Sequence, residues 1–260
     1  ISSTIGTAKG GEGKTSGGHG IYGVGQLTIS DNAAITNSTG GNATSIDGTG
    51  GNGIFSDGKL TIENSTITNA TGGDADNGTG GSGIRGDGNS DKLSIDNATI
   101  TNATGGSGKS GGSGILGKTM EIISSAIQKA IGGRSTGEES YHTGGAGIVG
   151  SESLTIEGGT TVQAVGGDAD SGTGGSGIRS GSDSRSGSLS ISGGTISAAG
   201  GSGKSGGDGI RSGDMLTIKG GEIKQATGGN ATGGSGRSGG NGIFGSVMKI
   251  ISSTIGTAKG

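Results

Sequence analysis

The chain has 260 residues, of which 70 are glycine, and it contains no proline, cysteine or tryptophan. This composition excludes an ordinary globular core, because large apolar and aromatic side chains fill most of the volume of such a core. The net charge is −3, and the lysines and arginines are scattered among acidic residues, so we expect no nucleic acid partner. The apolar runs are too short for a membrane span.

The first repeated element is Gly-Gly-x-Gly-Ile, which occurs in eight copies spaced 30 to 33 residues apart. An apolar-x-apolar triplet follows each copy, a pattern typical of a strand whose apolar side chains share one face. The isoleucines are Ile21, Ile54, Ile84, Ile115, Ile148, Ile178, Ile210 and Ile243. The triplets are Leu27/Ile29, Leu60/Ile62, Leu93/Ile95, Met120/Ile122, Leu154/Ile156, Leu189/Ile191, Leu216/Ile218 and Met248/Ile250.

A third apolar site and a closing Gly-Gly complete each repeat. The third sites are Ile35, Ile67, Ile100, Ile127, Val162, Ile196, Ile223 and Ile255. Three short strands per repeat, separated by glycines that permit tight corners, predict one coil of a β-solenoid. We therefore predict an all-β parallel β-solenoid of about eight coils that spans residues 1–260 as a single continuous array.

A polar segment of variable length separates each closing Gly-Gly from the next Gly-Gly-x-Gly-Ile, and we expect it to run over the surface. One such segment contains Gly13-Lys14-Thr15, which is reminiscent of a phosphate-binding loop. That loop needs a glycine where this chain has Ala8. The triplet also recurs at residues 108–110 and 203–205, in equivalent positions of the repeat, so it belongs to the coil and not to a nucleotide site.

Residues 251–260, ISSTIGTAKG, repeat residues 1–10 letter for letter, although neighbouring coils agree only at their key positions. This match predicts a super-repeat of 250 residues. No capping sequence is visible at either end, and an uncapped coil exposes unpaired backbone groups. We expect the column of coils to continue through both ends, within one giant chain or from one subunit to the next.

Repeats such as GGNGIFSDGKLTIENSTITNATGG (residues 50–73) and GGDGIRSGDMLTIKGGEIKQATGG (residues 206–229) resemble known glycine-rich repeats. They are similar to those of large microbial cell-surface proteins, including adhesins with right-handed parallel β-helix domains. They also resemble a carbohydrate-binding family of the pectate-lyase-like fold. The resemblance implies a right-handed coil, an extracellular location on the cell surface, and binding of calcium and polysaccharide.

Two Asp-x-Asp motifs lie in variable segments and are the candidate calcium ligands: Asp74, Asp76, Asp168 and Asp170. Alternating carboxylates in a glycine-rich turn can supply oxygens to Ca²⁺, but a full site needs six to eight of them. A solvated acidic loop is the alternative interpretation.

Eight asparagines precede x-Ser/Thr, the acceptor pattern for N-glycans. They are Asn37, Asn42, Asn64, Asn69, Asn77, Asn97, Asn102 and Asn230. The chain is rich in Ser and Thr and its coils duplicate one another, so a purely structural use of stacked asparagines is the alternative.

Tyr22, Phe55 and Phe244 each follow a Gly-Gly-x-Gly-Ile isoleucine, and we expect them to point outward on one face, where they could contact sugar or a neighbouring filament. His19 and His142 are lone histidines in glycine-rich segments, which we interpret as solvated loop residues. No carboxylate cluster recurs on a strand face, so we expect no enzyme. The outward threonines Thr28, Thr61, Thr155 and Thr217 form an interrupted column, which does not favour ice binding.

The first functional hypothesis is an extracellular structural filament, stalk or surface coat that serves adhesion or matrix. The alternative is a polysaccharide-binding module of a cell-surface protein, with calcium as a candidate cofactor.

Overall fold

The computed structural model describes residues 3–86, 92–181, 187–233 and 237–260, which form 23 β-strands. In chain order these are β1 (Thr4–Lys9), β2 (Ile21–Gly23), β3 (Gln26–Ile29), β4 (Ala34–Thr39), β5 (Ala43–Thr49), β6 (Ile54–Ser56), β7 (Lys59–Glu63), β8 (Thr66–Thr71), β9 (Ala75–Thr79), β10 (Ile84–Gly86), β11 (Lys92–Asp96), β12 (Thr99–Thr104), β13 (Ile115–Ile123), β14 (Ala126–Ile131), β15 (Ile148–Glu157), β16 (Thr161–Val165), β17 (Ile178–Ser180), β18 (Ser188–Ser192), β19 (Thr195–Ala199), β20 (Ile210–Lys219), β21 (Glu222–Thr227), β22 (Ile243–Ile251) and β23 (Thr254–Lys259). The described part of the chain contains no helix that could serve as a membrane span.

Two large parallel sheets confirm the predicted β-solenoid. Among the described residues, a nine-stranded sheet runs in the order β1-β4-β8-β12-β14-β16-β19-β21-β23 and carries the third apolar sites. A twelve-stranded sheet carries the Gly-Gly-x-Gly-Ile isoleucines and the triplets. In four coils these two segments are separate strands, and in the other four they merge into one long strand, as in β13 and β15. Each coil therefore stacks directly on its neighbour.

The apolar positions form continuous interior columns in the predicted register. Ile21 pairs with Ile54 and Ile54 with Ile84, and the same column continues to Ile243. The middle coils bury these side chains completely, because each apolar residue has an equivalent neighbour one coil above and one below. The fully buried members include Ile62, Ile95, Ile100, Leu154 and Ile218. Because equivalent side chains stack in this way, aliphatic residues and methionine form a core that needs no large aromatic residues.

The corner between the triplet strand and the third strand requires a positive φ in several coils. Asn64 and Asn97 both have φ of 46° there, and Gly158 and Gly220 occupy the same corner with φ of 67° and 64°. Glycine and asparagine tolerate this left-handed conformation better than other residues. The corner thus favours Asn or Gly shortly after the triplet, although Ser124 and Ser252 adopt the same conformation with φ of 46° and 47°.

The closing Gly-Gly of each repeat lies directly beside the next opening Gly-Gly, and we call this column of paired glycines the glycine neck. Its described pairs include Gly40-Gly41 with Gly50-Gly51, Gly72-Gly73 with Gly80-Gly81, Gly105-Gly106 with Gly111-Gly112, Gly132-Gly133 with Gly144-Gly145, and Gly166-Gly167 with Gly174-Gly175. A Cβ atom built on Gly72 would lie 2.0 Å from the carbonyl oxygen of Gly81, far inside van der Waals contact. Only glycine allows the backbones to approach this closely.

The glycine neck divides each coil into an apolar lobe, bounded by the two large sheets, and a small lobe formed by the variable segment. The variable segments stack on one another as well: β5 pairs with β9, and isolated bridges such as Gly108↔Ser135 and Ser135↔Ala169 continue the column. Ala43, Ala75 and Ser135 are buried inside this lobe. Small side chains therefore fill the small lobe, which follows the coil repeat despite its variable length.

Candidate functional site: the two ends of the solenoid

The first coils expose an apolar hollow of about 320 Å³. Its apolar lining comes from both large sheets: Ile5 and Ile35 belong to the nine-stranded sheet, and Ile21, Leu27 and Ile29 to the twelve-stranded sheet. In the next coil the equivalent Leu60 and Ile62 are fully buried. The hollow therefore lies where a further coil would place its own triplet strand.

The last coil exposes the complementary apolar side chains. Met248 and Ile250 are 51% and 49% exposed, whereas Leu216 and Ile218, their partners one coil earlier, are fully buried. Met248 and Ile250 occupy the same interior columns as Leu27 and Ile29 at the other end. A further coil over the hollow would cover it with one more pair of triplet side chains. Met248 and Ile250, at the opposite end, are such a pair.

The identical segments at the two ends occupy identical positions in the nine-stranded sheet. In β1, Ile5 pairs with Ile35 and Thr7 with Asn37. In β23, Ile255 pairs with Ile223 of β21 on the other side of the stack. Both strands lie at an edge of the sheet, and an edge strand is a template for pairing with another chain.

An aromatic cluster lies in the first coils, around the Gly-Gly-x-Gly-Ile isoleucines Ile21 and Ile54. The rings of Tyr22 and Phe55 stack with centroids 5.5 Å apart and an interplanar angle of 6°. The ring centroids of His19 and Phe55 are 4.5 Å apart. The Arg85 guanidinium carbon lies 5.7 Å from the centre of the Phe55 ring. The tyrosine hydroxyl donates to Asp57, which raises the pKa of Tyr22.

Two expectations about this cluster are wrong. Phe55 points away from the core as expected, but it is only 9% exposed, because Tyr22 and Arg85 cover it from the neighbouring coils. His19 is not a solvated loop residue: its Nδ1 accepts the backbone N–H of Asn52 at 2.9 Å. Burial, together with the charge of Arg85, lowers the pKa of His19 below its ordinary value.

The remaining aromatic residues lie apart from this cluster. Phe244 is 37% exposed and packs against Arg211, whose guanidinium carbon is 5.2 Å from the ring centre. Tyr141 is 74% exposed and lines a polar groove of about 440 Å³ on the small lobe. The other groove residues include Asp76, Asn77, Lys109, Glu138, Glu139 and His142.

Three of the four candidate calcium ligands, Asp74, Asp168 and Asp170, accept hydrogen bonds within the solenoid. The Asp74 carboxylate accepts the backbone N–H of Ser107 one coil later at 2.7 Å, and Asp168 accepts that of Ser202 at the same distance. Asp170 accepts a hydrogen bond from Arg134 Nε at 2.9 Å. The described residues contain no cluster of three or more His, Asp or Glu side chains that could hold a metal ion. Calcium at Asp74, Asp76, Asp168 and Asp170 stays a prediction.

Three sequon asparagines form a hydrogen-bonded amide column on the nine-stranded sheet. Asn69 donates from Nδ2 to Asn37 Oδ1 at 2.9 Å, and Asn102 donates to Asn69 Oδ1 at 3.0 Å. The side chains stack because successive strands place them in register. These three residues therefore have a structural use that needs no glycan.

The other sequon asparagines fall into two groups. Asn64 and Asn97 occupy the positive-φ corner, and Asn97 Nδ2 donates to Asn64 Oδ1 at 2.7 Å. Asn42, Asn77 and Asn230 are exposed on the small lobe, where Asn42 Oδ1 accepts the backbone N–H of Asp74. Glycosylation of any of the eight stays a prediction, and intact-mass measurement of native material would test it.

Sequence reasoning missed a type of hydrogen bond that recurs between neighbouring coils, from a backbone N–H to an Asn or Asp side chain. Asn42, Asp74 and Asp168 each directly follow a closing Gly-Gly, and each accepts the backbone N–H of the equivalent residue one coil later. Asn52 and Asp208 do the same within Gly-Gly-x-Gly-Ile. The available signal was the preference for Asn, Asp or Ser at these two fixed offsets from the glycine pairs.

Comparison with protein-family models, with curated proteins and with solved structures finds no match to this chain. The β-helix architecture that the repeats imply is confirmed by the parallel sheets and their register. The narrower resemblance, to adhesins or to a carbohydrate-binding family, remains an expectation.

Proposed function

We propose that this solenoid is a structural unit that continues end to end into a long filament, stalk or surface coat outside the cell. The observation that carries the proposal is the match between the two ends. The same six-residue strand, Thr-Ile-Gly-Thr-Ala-Lys, occupies the same sheet position at both ends. The hollow over Leu27 and Ile29 lies at one end of the interior columns that Met248 and Ile250 close at the other.

The driving force for such continuation is the same as that between neighbouring coils. A solenoid gains its stability from interfaces between adjacent repeats, so an additional coil adds backbone hydrogen bonds and buries apolar columns. At the ends, Ile5, Met248 and Ile250 remain 40 to 51% exposed, and stacking would bury them. The unpaired strand edges favour the same outcome.

The inner construction suits a stiff extracellular fibre. The glycine neck fixes the two lobes of each coil through backbone hydrogen bonds, such as Gly81 N–H to Gly73 O at 2.8 Å. Backbone held in such a ladder offers few flexible segments for proteolysis. The resemblance to repeats of microbial surface proteins supports a location on the cell surface and a role in adhesion or matrix.

Electron microscopy of the native material, combined with denaturing electrophoresis, tests the proposal. Filaments that dissolve into chains of about one 250-residue period would show subunits that stack end to end. Filaments that persist as very large chains would show a tandem array within one polypeptide. Discrete short rods would overturn the filament proposal.

A matched pair of variants of the purified chain tests whether end-to-end assembly depends on the apolar hollow. Leu27→Asp places a charge in the apolar hollow, and we expect it to abolish end-to-end assembly. Ile46→Asp is the control, because Ile46 is 76% exposed on the small lobe and away from both ends. Equal circular dichroism of the two variants would show that both fold, and equal assembly would contradict the proposal.

Polysaccharide binding is a second candidate, favoured by the groove of about 440 Å³ that contains Tyr141. An exposed aromatic ring beside carboxylates and an amide offers both an apolar face and hydrogen-bond partners for a sugar. A glycan array with the wild-type chain and Tyr141→Ala tests this candidate, with Val24→Ala as an exposed control outside the groove. Selective binding that only Tyr141→Ala removes would support it, and absence of binding would contradict it.

A further inference from the structure

Two arginines of neighbouring coils lie side by side in the twelve-stranded sheet. Arg179 of β17 pairs in register with Arg211 of β20, so their side chains leave adjacent strands about 4.8 Å apart. Both residues are half-buried. Val149 and Phe244 occupy the equivalent positions in the coils on either side. Like charges directly opposite each other on neighbouring strands are destabilising, so this pair has a cost that a bound anion would offset.

The arginine pair borders a crevice of about 50 Å³ beside the glycine neck. A cavity of about 10–15 Å³ holds one water, so the crevice has room for a small group of a few heavy atoms. Thr143, Thr173 and Ser176, which carry hydroxyl groups, line it together with the two arginines. The residues around the crevice are therefore rich in hydrogen-bond donors.

The neck glycines that line the crevice do not supply these donors. Each of them donates its backbone N–H to a backbone carbonyl, as Gly174 does to Ser205 at 2.9 Å and Gly206 to Ser238 at 3.1 Å. The donors that a ligand would meet are thus side-chain groups, the guanidinium groups above all. Guanidinium is always charged, and its planar fork matches the spacing of two oxygens of one anion.

Arg211 is held in place before any ligand arrives. Its Nη1 donates to Asp208 Oδ2 at 3.3 Å, and the Asp208 side chain is only 7% exposed. Asp208 Oδ1 in turn accepts the backbone N–H of Asn241 at 2.7 Å. The Phe244 ring centre lies 5.2 Å from the Arg211 guanidinium carbon. A side chain that is fixed in this way loses little conformational freedom on binding.

The charged side chains that line the crevice, among the described residues, are Arg179, Arg211 and Asp208, which leaves one positive charge in excess. We propose that Arg179 and Arg211 together bind a tetrahedral oxyanion, sulfate or phosphate, as the free ion or as an ester group on an extracellular polymer. Each fork contacts different oxygens of the same anion, and Asp208 positions Arg211. The site lies within one chain, so it does not depend on end-to-end assembly.

Isothermal titration calorimetry of the full chain with sodium sulfate and with sodium phosphate, at constant ionic strength in chloride buffer, tests the proposal. We expect the wild type to bind, and Arg179→Gln to bind roughly tenfold more weakly or less, because charge-assisted hydrogen bonds are lost. Arg179→Lys keeps the charge without the planar fork and should have an intermediate affinity.

Arg85→Gln is the matched control. It removes the same charge from the equivalent position of another coil, where the in-register neighbours are Phe55 and Leu116 instead of a second arginine. We expect this variant to bind sulfate as the wild type does. Equal circular dichroism of the arginine variants would show that all of them fold.

Dextran sulfate and uncharged dextran distinguish the two sources of the anion. Tighter binding of dextran sulfate than of free sulfate, lost in Arg179→Gln, would identify an ester group on a polymer as the ligand. Binding of the free anions without this gain would identify a site for a small ion. No binding of either anion by the wild type, or an equal loss in Arg179→Gln and Arg85→Gln, would overturn the proposal.

Discussion

Gly81 donates its backbone N–H to the carbonyl oxygen of Gly73 at 2.8 Å, and Gly106 of the next coil donates in turn to Gly81. The same alternation continues along the glycine neck, so the two lobes of every coil are joined by backbone alone. The many glycines of the chain therefore have a common physical cause at this seam, which is the close approach of two backbone segments.

Gly72→Ala is expected to destabilise the solenoid strongly. The new Cβ would lie 2.0 Å from Gly81 O, and this oxygen belongs to backbone that cannot rotate away. We expect a loss of at least the ~1–3 kcal/mol typical of overpacking. Gly159→Ala is the control, because nothing lies within 4 Å of its Cβ position. Urea unfolding of both variants measures the difference, and equal midpoints would contradict the steric role of the neck.

Ile95→Ala tests the interior columns. Ile95 is fully buried between Ile62 and Ile122, so the substitution leaves a cavity with an expected cost of ~2–5 kcal/mol. Ile250→Ala removes the same atoms at the equivalent position of the last coil, where the side chain is 49% exposed. Thermal unfolding of the unassembled chain should show a clearly smaller loss for Ile250→Ala.

Asn69→Ala should weaken the amide column. Asn69 donates to Asn37 and accepts from Asn102, so the substitution removes two side-chain hydrogen bonds, each with a net value of ~0.5–1.5 kcal/mol. Asn77→Ala is the matched control, since Asn77 is exposed on the small lobe. A free energy of unfolding that is equal for the two variants would show that the column contributes no stability.

Acidification should destabilise the first coils through His19. The folded state lowers the pKa of His19, by burial and by the charge of Arg85, so it favours the neutral ring. The stabilisation is fully present above the ordinary pKa of 6.5 and decreases as the pH falls below that value, because the unfolded state binds the proton first. Thermal midpoints between pH 7.5 and pH 5 should therefore decrease more for the wild type than for His19→Gln. Parallel pH profiles would contradict this assignment.

The calcium prediction is tested by thermal unfolding with millimolar Ca²⁺ and with a chelator. The alternative interpretation, an acidic segment that binds no calcium, predicts an unchanged midpoint, because the Asp74 and Asp168 carboxylates already accept inter-coil hydrogen bonds. A ligand that binds the folded state raises its stability. A rise in the midpoint that Asp76→Asn removes would therefore establish a calcium site in this loop.

The repeat length and the apolar spacing were sufficient to predict the fold. Side chains alternate along a strand, and a nearly constant coil length places equivalent residues above one another. The predicted columns of Ile62, Ile95 and Ile122, and of Ile67, Ile100 and Ile127, are therefore observed in register. Small residues and glycines at fixed offsets also predicted the tight corners.

The environment of each surface residue could not be predicted in this way, because it depends on which side chains the next coils place about 4.8 Å away. Phe55 is buried since Tyr22 and Arg85 happen to flank it, and His19 is held by the backbone of Asn52. By the same cause, Asn69 belongs to a column while Asn77 is exposed.

The sequence by itself determined the coil, its interior columns and the equivalence of residues 1–10 and 251–260, because these follow from local periodicity and exact repetition. Only the tertiary structure decided that the paired glycines meet in a neck and that Tyr22 and Arg85 cover Phe55. Both features arise from contacts between segments of the chain that no local pattern relates.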